Sequence, residues 1–377
     1  MRTIGILAIS WLPWFSDSKT ETTPVETPET VEVPTVEPPP PPPPPEPPAP
    51  ALFPDALPFH SSNQVVNLGM IYANSCSGCH NTVFAEWNTS SHHTGAQSTV
   101  WLDAIRSYGN GTICTSCHKP LTQQHQELTV EVVAGDVARP ISQPNPDWNF
   151  TLELESVGCA GCHVREGVVV GSKTSDSPHP VRNSAEIQTS EACVSCHQFQ
   201  LPNESTPIYN TYQEWKNSAY ANAGIQCQDC HMQSSATIGQ GWISHGFDLS
   251  PEQGLTLTIQ STTKEFPRNQ SIPFSFIVHN TGVGHSWPGS SPFVTKSLVV
   301  EIKDSAGKDM IKPIIHHIGN HRDSKLAGPS ISVGGQHAFA QDILIANKYK
   351  AGWGELRISY VHGDTVEVLE TFKINVR

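Results

Sequence analysis

The sequence predicts a multidomain protein, in which a mostly α-helical or irregular part rich in cysteine and histidine precedes an all-β sandwich. Three observations predict this. All ten cysteines lie between residues 76 and 230, short alternating apolar stretches begin near residue 251, and 17 of the 32 prolines lie in the first 58 residues. A chain of 377 residues is long enough for two parts that each bury a core. We therefore expect four segments: residues 1–15, 16–58, 59–250 and 251–377.

The cysteines of the third segment form five pairs, and a histidine directly follows each pair. The pairs read CSGCH, CTSCH, CAGCH, CVSCH and CQDCH, and we number them sites 1 to 5 in chain order. The cysteines are Cys76 and Cys79, Cys114 and Cys117, Cys159 and Cys162, Cys193 and Cys196, and Cys227 and Cys230. Histidine fills roughly one position in twenty, so its presence behind all five pairs has a chance probability of about one in a few million.

Four kinds of site use a CxxC pair: zinc, a redox dithiol, a disulfide or a covalently attached haem. A zinc ribbon uses two pairs for each metal and does not require the histidine. A disulfide within a pair would close a very small loop and would constrain little of the unfolded chain. The pattern favours c-type haem attachment, with two thiols joined to the porphyrin and the histidine bound to iron.

Five such sites predict five covalently bound c-type haems. Their proximal iron ligands are expected to be His80, His118, His163, His197 and His231. The sites begin only 34 to 45 residues apart, at positions 76, 114, 159, 193 and 227. This is too little chain for one globular unit around each haem, so we expect short helices and loops around closely packed porphyrins.

The first two segments indicate export and a spacer. Residues 1–15 carry one early positive charge and an apolar run of about a dozen residues, which is the length of a signal-peptide core. Residues 16–58 are rich in Pro, Glu and Thr and are expected to form an extended stalk or a disordered linker. Attachment of c-type haem takes place outside the cytoplasm, so we expect a periplasmic, cell-surface or extracellular protein. The N-terminal segment would associate it with a membrane or cell wall.

Alternating residues in the last segment predict short strands separated by turns. Six or seven strands in about 125 residues are typical of an immunoglobulin-like sandwich. The predicted strands are LTLTIQS (255–261), IPFSFIVH (272–279), KSLVVEIK (296–303), HAFAQDILI (337–345), ELRISYV (355–361) and TVEVLETFKINV (365–376).

Several stretches together resemble the multihaem cytochromes c that are related to the tetrahaem electron carrier of ammonia oxidisers and to hydroxylamine oxidoreductase. The resemblance covers roughly residues 70–377. It rests on CSGCHNTVFAEWNTSSH, CTSCHKPL, VGCAGCH, TYQEWKNSAYANAGIQCQDCHM, SHGF and NTGVGHSWPG. The last of these is similar to a Gly-His-Phe-Pro-Thr-Gly turn in relatives with a C-terminal immunoglobulin-like domain, although Trp287 replaces the phenylalanine and the threonine is missing. The family includes subunits of extracellular cytochrome filaments, so the resemblance adds a homopolymer to the expected assemblies.

Histidine is expected to be the second axial ligand of most of the five irons. The chain has thirteen histidines outside the five sites and only four methionines, one of which is Met1. The resemblance implies His92, in EWNTSSH, and His245, in SHGF, as distal ligands. His125 and His179 follow sites 2 and 3, and His285 lies in GHSWPG. His93 is the alternative to His92, His60 is a reserve candidate, and His316, His317 and His321 form a further cluster that is expected to be a solvated loop.

Two functions follow from these expectations. The first is electron transfer without substrate chemistry, between redox partner proteins or toward an extracellular electron acceptor. The second is oxidation or reduction of a small nitrogen or sulfur compound at one five-coordinate haem. Tyr220 keeps the second function open, because it stands in EWKNSAY where the repeat EWNTSSH has His92. All five sites end in histidine, whereas pentahaem nitrite reductases commonly carry a CxxCK site, so the sequence argues against that kind of enzyme.

A nucleic-acid partner is not expected. The chain has a formal net charge of −13, and binding to nucleic acid needs a clustered basic surface. Nearly half of the negative charge lies in the first 58 residues, where eight acidic residues face only Arg2 and Lys19.

Overall fold

The computed structural model describes residues 71–108, 111–133, 139–165, 167–172, 178–200, 207–233, 243–247, 253–261, 263–289 and 291–377. The predicted signal-like segment 1–15 and the predicted stalk 16–58 lie outside these residues, as does His60. Two units are distinguished along the chain, Met1–Pro48 and Ala49–Arg377, and the second contains all five cysteine pairs together with the C-terminal strands. No described helix is long and apolar enough to cross a bilayer.

Short helices carry the cysteine pairs. The described helices are α1 Ala73–Ser77, α2 Asn81–Thr89, α3 Ser91–Thr94, α4 Thr99–Tyr108, α5 Gly111–His118, α6 Phe150–Glu153, α7 Cys159–His163, α8 Glu191–His197, α9 Thr211–Lys216, α10 Ala219–Asn222 and α11 Cys227–His231. Sites 2 to 5 each lie within the last turn of a helix, and site 1 joins α1 to α2. Residues three and four apart lie on one face of a helix, so each turn presents both cysteines and the histidine on one side.

Two small sheets lie in the connections that follow sites 2 and 3. Strands β1 Glu127–Val132 and β2 Pro140–Pro144 form an antiparallel pair after site 2. Strands β3 Val164–Arg165, β4 Val168–Gly171 and β5 Val181–Asn183 form a sheet after site 3, in which β3 and β4 are antiparallel and β4 and β5 are parallel.

The C-terminal strands form two further sheets. The strands are β6 Leu255–Ile259, β7 Glu265–Phe266, β8 Ser271–Asn280, β9 Lys296–Asp304, β10 Ile314–His317, β11 Gln336–Leu344, β12 Gly352–His362 and β13 Thr365–Val376. One sheet has the order β11-β8-β6, and the other has the order β10-β9-β12-β13-β7. All pairs are antiparallel except β13 with β7. The six strands predicted from alternation occur within about three residues of their predicted bounds. The short strands β7 and β10 were not predicted.

The main apolar core lies between these two C-terminal sheets. Phe274, Phe276 and Val278 of β8 are at most 2% exposed and contact the buried side chains of β9 and β12. The cysteine-rich part contains a much smaller cluster of buried apolar side chains among the described residues. Its members are Ile71, Leu121, Leu152, Ala160 and Val164. This cluster is much smaller than the core between the C-terminal sheets.

The fold class predicted from the sequence, a mostly α-helical or irregular haem domain followed by an all-β immunoglobulin-like sandwich, is wrong. About 26% of the structure is helix and about 32% is strand, distributed over several sheets, and two of these sheets lie within the cysteine-rich part. The connections after sites 2 and 3 contain ELTVEV and VVVG, whose β-branched residues favour strands. The sequence analysis had assigned both stretches to short helices and loops, because the sites are so closely spaced.

Candidate haem sites

The ten cysteines, all of which lie in described residues, are free thiols. The structure therefore does not contain the disulfides that were one alternative for CxxC. In the holoprotein these thiols would stand for the thioether sulfurs that join each haem to the chain. The chain fits this attachment because each site offers two sulfurs and an imidazole from one helical turn.

Four of the five predicted proximal histidines face a second histidine across a gap of constant width. The distances between ring centroids are 6.4 Å for His80 and His179, 6.4 Å for His92 and His197, 6.2 Å for His163 and His245, and 6.3 Å for His231 and His285. A metal–nitrogen bond of about 2 Å and about 1.1 Å from that nitrogen to its ring centre place two imidazoles on opposite sides of one iron about 6.2 Å apart. The four gaps match this value.

Hydrogen bonds orient several of these rings. Nδ1 of His163 lies 3.0 Å from the carbonyl oxygen of Val170. Nδ1 of His245 lies 3.0 Å from the carbonyl oxygen of Ile243, and Nδ1 of His285 lies 2.9 Å from that of Ser286. An Nδ1–H group that donates to a carbonyl leaves Nε2 unprotonated and able to bind a metal. These backbone contacts therefore select the tautomer that haem iron requires.

Burial favours the neutral form of four histidines of the sites. It lowers the pKa of each to about 4, because an imidazolium loses its hydration there, and the charges of neighbouring histidines lower all four values further. The four are His92, His118, His197 and His245. Neutral imidazole is the form that binds a metal.

His125, a predicted distal ligand, lies in a different setting. Its Nε2 atom is 2.7 Å from the carbonyl oxygen of Lys119, so a hydrogen bond occupies the nitrogen that would reach iron. The ring centroids of His118 and Trp101 are 4.3 Å apart. Among the described residues, no second histidine ring lies opposite His118 of site 2. The reserve candidate for such a pair, His60, lies outside the described part of the chain.

His93 and Tyr220, the two residues that left the sequence interpretation open, both pack against protein. The ring of His93 lies 4.3 Å from that of Trp87, and its Nδ1 atom is 3.4 Å from the carbonyl oxygen of Glu155. Tyr220 donates its hydroxyl hydrogen bond to the carbonyl oxygen of Thr281 at 3.4 Å. The ring of Tyr220 also lies against Gly284 in the loop between β8 and β9. Tyr220 therefore contacts the loop that carries His285.

The predicted loop cluster of His316, His317 and His321 does not form one group. His316 and His317 lie in β10, where they bond Gln341 and Ser297 respectively, and only His321 lies in a loop. In the part of the chain that the structure describes, no three His, Cys, Asp or Glu side chains converge on a common metal position. Haem iron does not need such a cluster, because the porphyrin supplies four of its ligands.

Cysteines of different sites lie close to one another. The thiols of Cys76 and Cys159, of Cys117 and Cys196, and of Cys193 and Cys227 are near enough to shift each other's pKa. Cys196 also raises the pKa of Cys162 by its charge. Site 1 is therefore a neighbour of site 3, and site 4 is a neighbour of sites 2, 3 and 5. All five sites therefore belong to one connected group.

Sequence reasoning missed the polar residues that hold the histidine-bearing segments. Glu86 accepts a hydrogen bond from the backbone N–H of His245, and Glu214 accepts one from the backbone N–H of Ser286, each at 2.9 Å. Asn280 donates from Nδ2 to the carbonyl oxygen of His285 at 2.9 Å. The Glu-Trp pair that the repeats EWNTSSH and EWKNSAY share was the available signal for the two glutamates.

Comparisons with known proteins agree with a cytochrome fold. No family model and no curated protein matches the chain. A pentahaem cytochrome c552 from Thermochromatium tepidum is 14% identical in sequence, with a TM-score of 0.51 over 80% of this chain and 97% of that chain. This match does not confirm the expected relationship to hydroxylamine oxidoreductase or the expected immunoglobulin-like domain.

Two further structural matches have TM-scores far below 0.5, which is too low to indicate a shared fold. An alkylpurine DNA glycosylase from Pseudomonas fluorescens is 13% identical, with a TM-score of 0.22 over 33% of this chain and 30% of that chain. A CARDB domain from Pyrococcus furiosus is 15% identical, with a TM-score of 0.21 over 34% of this chain and 99% of that chain. The chain thus shares its fold over most of its length with a pentahaem cytochrome c.

Proposed function

We propose that this protein is a multihaem c-type cytochrome that transfers electrons and binds five haems covalently at sites 1 to 5. The observation that carries the proposal is the set of four histidine pairs with ring centroids 6.2 to 6.4 Å apart. Each pair contains the histidine of one CxxCH site. The protein would hold each haem by two sulfurs and by one or two imidazoles, and the bound haem supplies a one-electron couple.

The protein's own residues favour electron transfer over substrate chemistry. Two imidazoles at one iron leave no coordination position for a substrate, and histidine at both positions gives a lower reduction potential than a histidine with a methionine. Backbone carbonyls fix the orientation of His163, His245 and His285. Tyr220 bonds to the β8–β9 loop, which supports the interpretation of its ring as packed against protein.

The closeness of cysteines from different sites supports transfer from one site to another. Adjacent attachment points bring neighbouring porphyrins close together, which is what electron hopping between them requires. In this proposal the protein is exported, because c-type haem is attached outside the cytoplasm. It receives electrons from a redox partner protein and passes them to an extracytoplasmic acceptor, and the N-terminal segments would keep it near a membrane or cell wall.

Haem content and coordination test the proposal directly. The holoprotein, produced with a cytochrome c maturation system, should carry five haems per chain by pyridine haemochrome assay and by mass. Magnetic circular dichroism of the oxidised protein should show four low-spin haems with two nitrogen ligands. A protein with fewer than four such haems would contradict the proposal. A change in the Soret band when nitrite, hydroxylamine or cyanide is added would favour the enzymatic alternative at site 2.

Assembly into a homopolymer is a subordinate proposal, which rests on the resemblance alone. Electron microscopy of the concentrated, haem-loaded protein tests it. Filaments are the expected result, and particles of the size of a monomer under all conditions would remove the proposal.

A further inference from the structure

The repeated stretch Glu-Trp-x-x-Ser makes the same contacts in both of its copies, residues 86–90 and 214–218. The indole N–H of Trp87 donates to the carbonyl oxygen of Val157 at 2.8 Å, and that of Trp215 donates to the carbonyl oxygen of Ile225 at 2.9 Å. Each acceptor lies two residues before a cysteine pair, that of site 3 or that of site 5. Each tryptophan therefore holds the start of one haem-attachment helix.

A backbone hydrogen bond repeats in the same way. The amide of Val157 donates to the carbonyl oxygen of His92, and the amide of Ile225 donates to that of Tyr220, each at 3.0 Å. The tryptophan and its acceptor are 70 residues apart in the first copy and 10 in the second. Proximity in sequence does not explain an arrangement that occurs at both separations.

The glutamates of the two copies reach the opposite side of the same sites. Glu86 accepts from the amide of His245, which pairs with His163 of site 3. Glu214 accepts from the amide of Ser286, which follows the partner of His231 of site 5. A carboxylate that accepts from an N–H group forms a stronger hydrogen bond than a neutral acceptor does. These bonds join segments that are 159 and 72 residues apart.

We propose that each Glu-Trp-x-x-Ser copy is a clamp that sets both axial sides of one haem. The tryptophan positions the helix with the proximal histidine, and the glutamate positions the segment with the distal histidine of the same site. Glu86 acts on site 3 and Glu214 on site 5. This inference rests on the proposed function, because it takes His245 and His285 as iron ligands.

The clamp differs from an ordinary stabilising contact in what its loss would change. A purely structural glutamate would lower the stability of the fold and leave the spin state of the irons unaltered. A positioning glutamate controls whether one particular histidine stays on its iron. The readout is therefore the coordination of a single haem in the folded holoprotein.

The experiment compares Glu214→Ala and Glu86→Ala with the wild-type protein. In each variant we expect one haem per chain to gain high-spin character in the oxidised state, by electron paramagnetic resonance, and to bind carbon monoxide when reduced. The double variant should yield two such haems. Glu214→Gln and Glu86→Gln keep an oxygen acceptor and should restore the low-spin state in most of the protein. Asp103→Ala removes an exposed carboxylate that pairs with Arg106, and should have no effect.

The variants His245→Ala and His285→Ala separate failure of the clamp from failure of the proposed function. If these two variants each open one haem and the glutamate variants do not, the clamp is refuted and the function stands. If the histidine variants open none, the ligand assignment itself is refuted. Should the alanine variants fail to mature, Glu214→Asp and Glu86→Asp keep the charge and shorten the side chain. Fully low-spin haem in both aspartate variants would then overturn the clamp.

Discussion

His92 and His93 are adjacent in sequence and have different environments. They lie in α3, where Ser90 caps the helix by accepting from the amide of His93 at 3.4 Å. Successive residues of a helix point about 100° apart, so two neighbouring histidines cannot face the same iron. His92 faces His197 of site 4, whereas His93 packs on Trp87.

Substitution of the two histidines should give different results. We expect His92→Ala to convert one haem per chain to high spin, since it removes a proposed ligand of site 4. His93→Ala should leave every haem low-spin. Electron paramagnetic resonance of the oxidised proteins measures this, and a high-spin signal in His93→Ala alone would reverse the assignment.

The angles between paired imidazole planes predict different spectra for individual haems. The planes lie 81° apart in the pair His92 and His197, and 12° apart in the pair His231 and His285. Nearly perpendicular axial planes produce a strongly anisotropic low-spin signal with a large maximum g value, and nearly parallel planes produce an ordinary rhombic signal. His92→Ala should therefore remove a large-g signal, and His285→Ala should remove a rhombic one. Loss of the same signal in both variants would contradict these geometries.

Lys296 is a buried ammonium group in the C-terminal sheets. It is 1% exposed and donates to the carbonyl oxygens of Ser291 and Asn320 at 3.0 and 3.1 Å. Burial lowers the pKa of Lys296 to about 8, below its ordinary value of 10.5. Between these two pH values the unfolded chain binds more protons at this residue than the folded chain does. The contribution of Lys296 to the free energy of unfolding therefore rises with pH across this window.

Denaturant unfolding of the wild-type protein and of Lys296→Met between pH 8 and pH 10.5 tests this assignment. The stability of the wild type relative to the variant should increase as the pH rises. At pH 7 the variant lacks the two hydrogen bonds of Lys296, which destabilises it. It also buries no charge, which stabilises it. A difference between the two proteins that does not change with pH would show that Lys296 has an ordinary pKa.

Strand β8 shows how alternation in one element determines its packing. Its even-numbered residues from Phe274 to Asn280 are buried, while the residues between them are partly exposed. The ring of Phe276 stacks on that of Phe339 in β11, with centroids 5.2 Å apart. Asn280 ends the buried series and bonds to the carbonyl oxygens of His285 and Ile331. The same strand thus forms the core and anchors the loop that carries the proposed ligand of site 5.

Truncation of the central side chain of this strand should destabilise the C-terminal sheets. Phe276 is 0% exposed, so Phe276→Ala leaves a cavity and should cost about 3–5 kcal/mol of unfolding free energy. Thermal or denaturant unfolding followed by far-ultraviolet circular dichroism measures the loss. Val366→Ala is the matched control, because Val366 is 61% exposed, and its stability should stay within about 0.5 kcal/mol of the wild type.

At the scale of the whole molecule, the proximity of the cysteines indicates which sites are neighbours. Cysteines of site 4 lie near those of sites 2, 3 and 5, whereas Cys76 of site 1 lies near Cys159 of site 3. The proposed distal ligand of site 4, His92, comes from the segment directly after site 1. Site 4 is therefore the junction of the group, and its potential should control the passage of electrons between the other sites.

A change of ligand at the junction should slow transfer through the protein. We expect His92→Met to raise the potential of site 4, since methionine ligation favours the reduced iron. Each rise of about 59 mV above the neighbouring sites increases the retention of one electron there tenfold. His179→Met, at site 1, should slow redistribution among the other sites much less. Rapid photoreduction followed by absorbance kinetics compares the two, and equal slowing would argue against a junction at site 4.

The sequence alone was enough to predict the attachment sites, because each is a local pattern of five consecutive residues. The strands of the C-terminal sheets were also readable, since alternation of buried and exposed residues is a local property. The predicted fold class was nevertheless wrong, because strands β1 to β5 occupy connections that the spacing of the sites had assigned to loops and helices. The distal candidate His125 bonds to the carbonyl oxygen of Lys119, a contact that its order along the chain did not reveal.

The amino-acid sequence by itself determined the ten cysteines, the five histidines that follow them and hence the expected cofactor. Chemistry at each site depends on residues that are neighbours in the chain, so spacing is sufficient there. Only the tertiary structure decided which histidine faces which. His80 meets His179, and His92 meets His197 rather than the histidine of its own segment. These pairs join residues about a hundred positions apart, and their distances depend on the packing of the helices, sheets and loops between them.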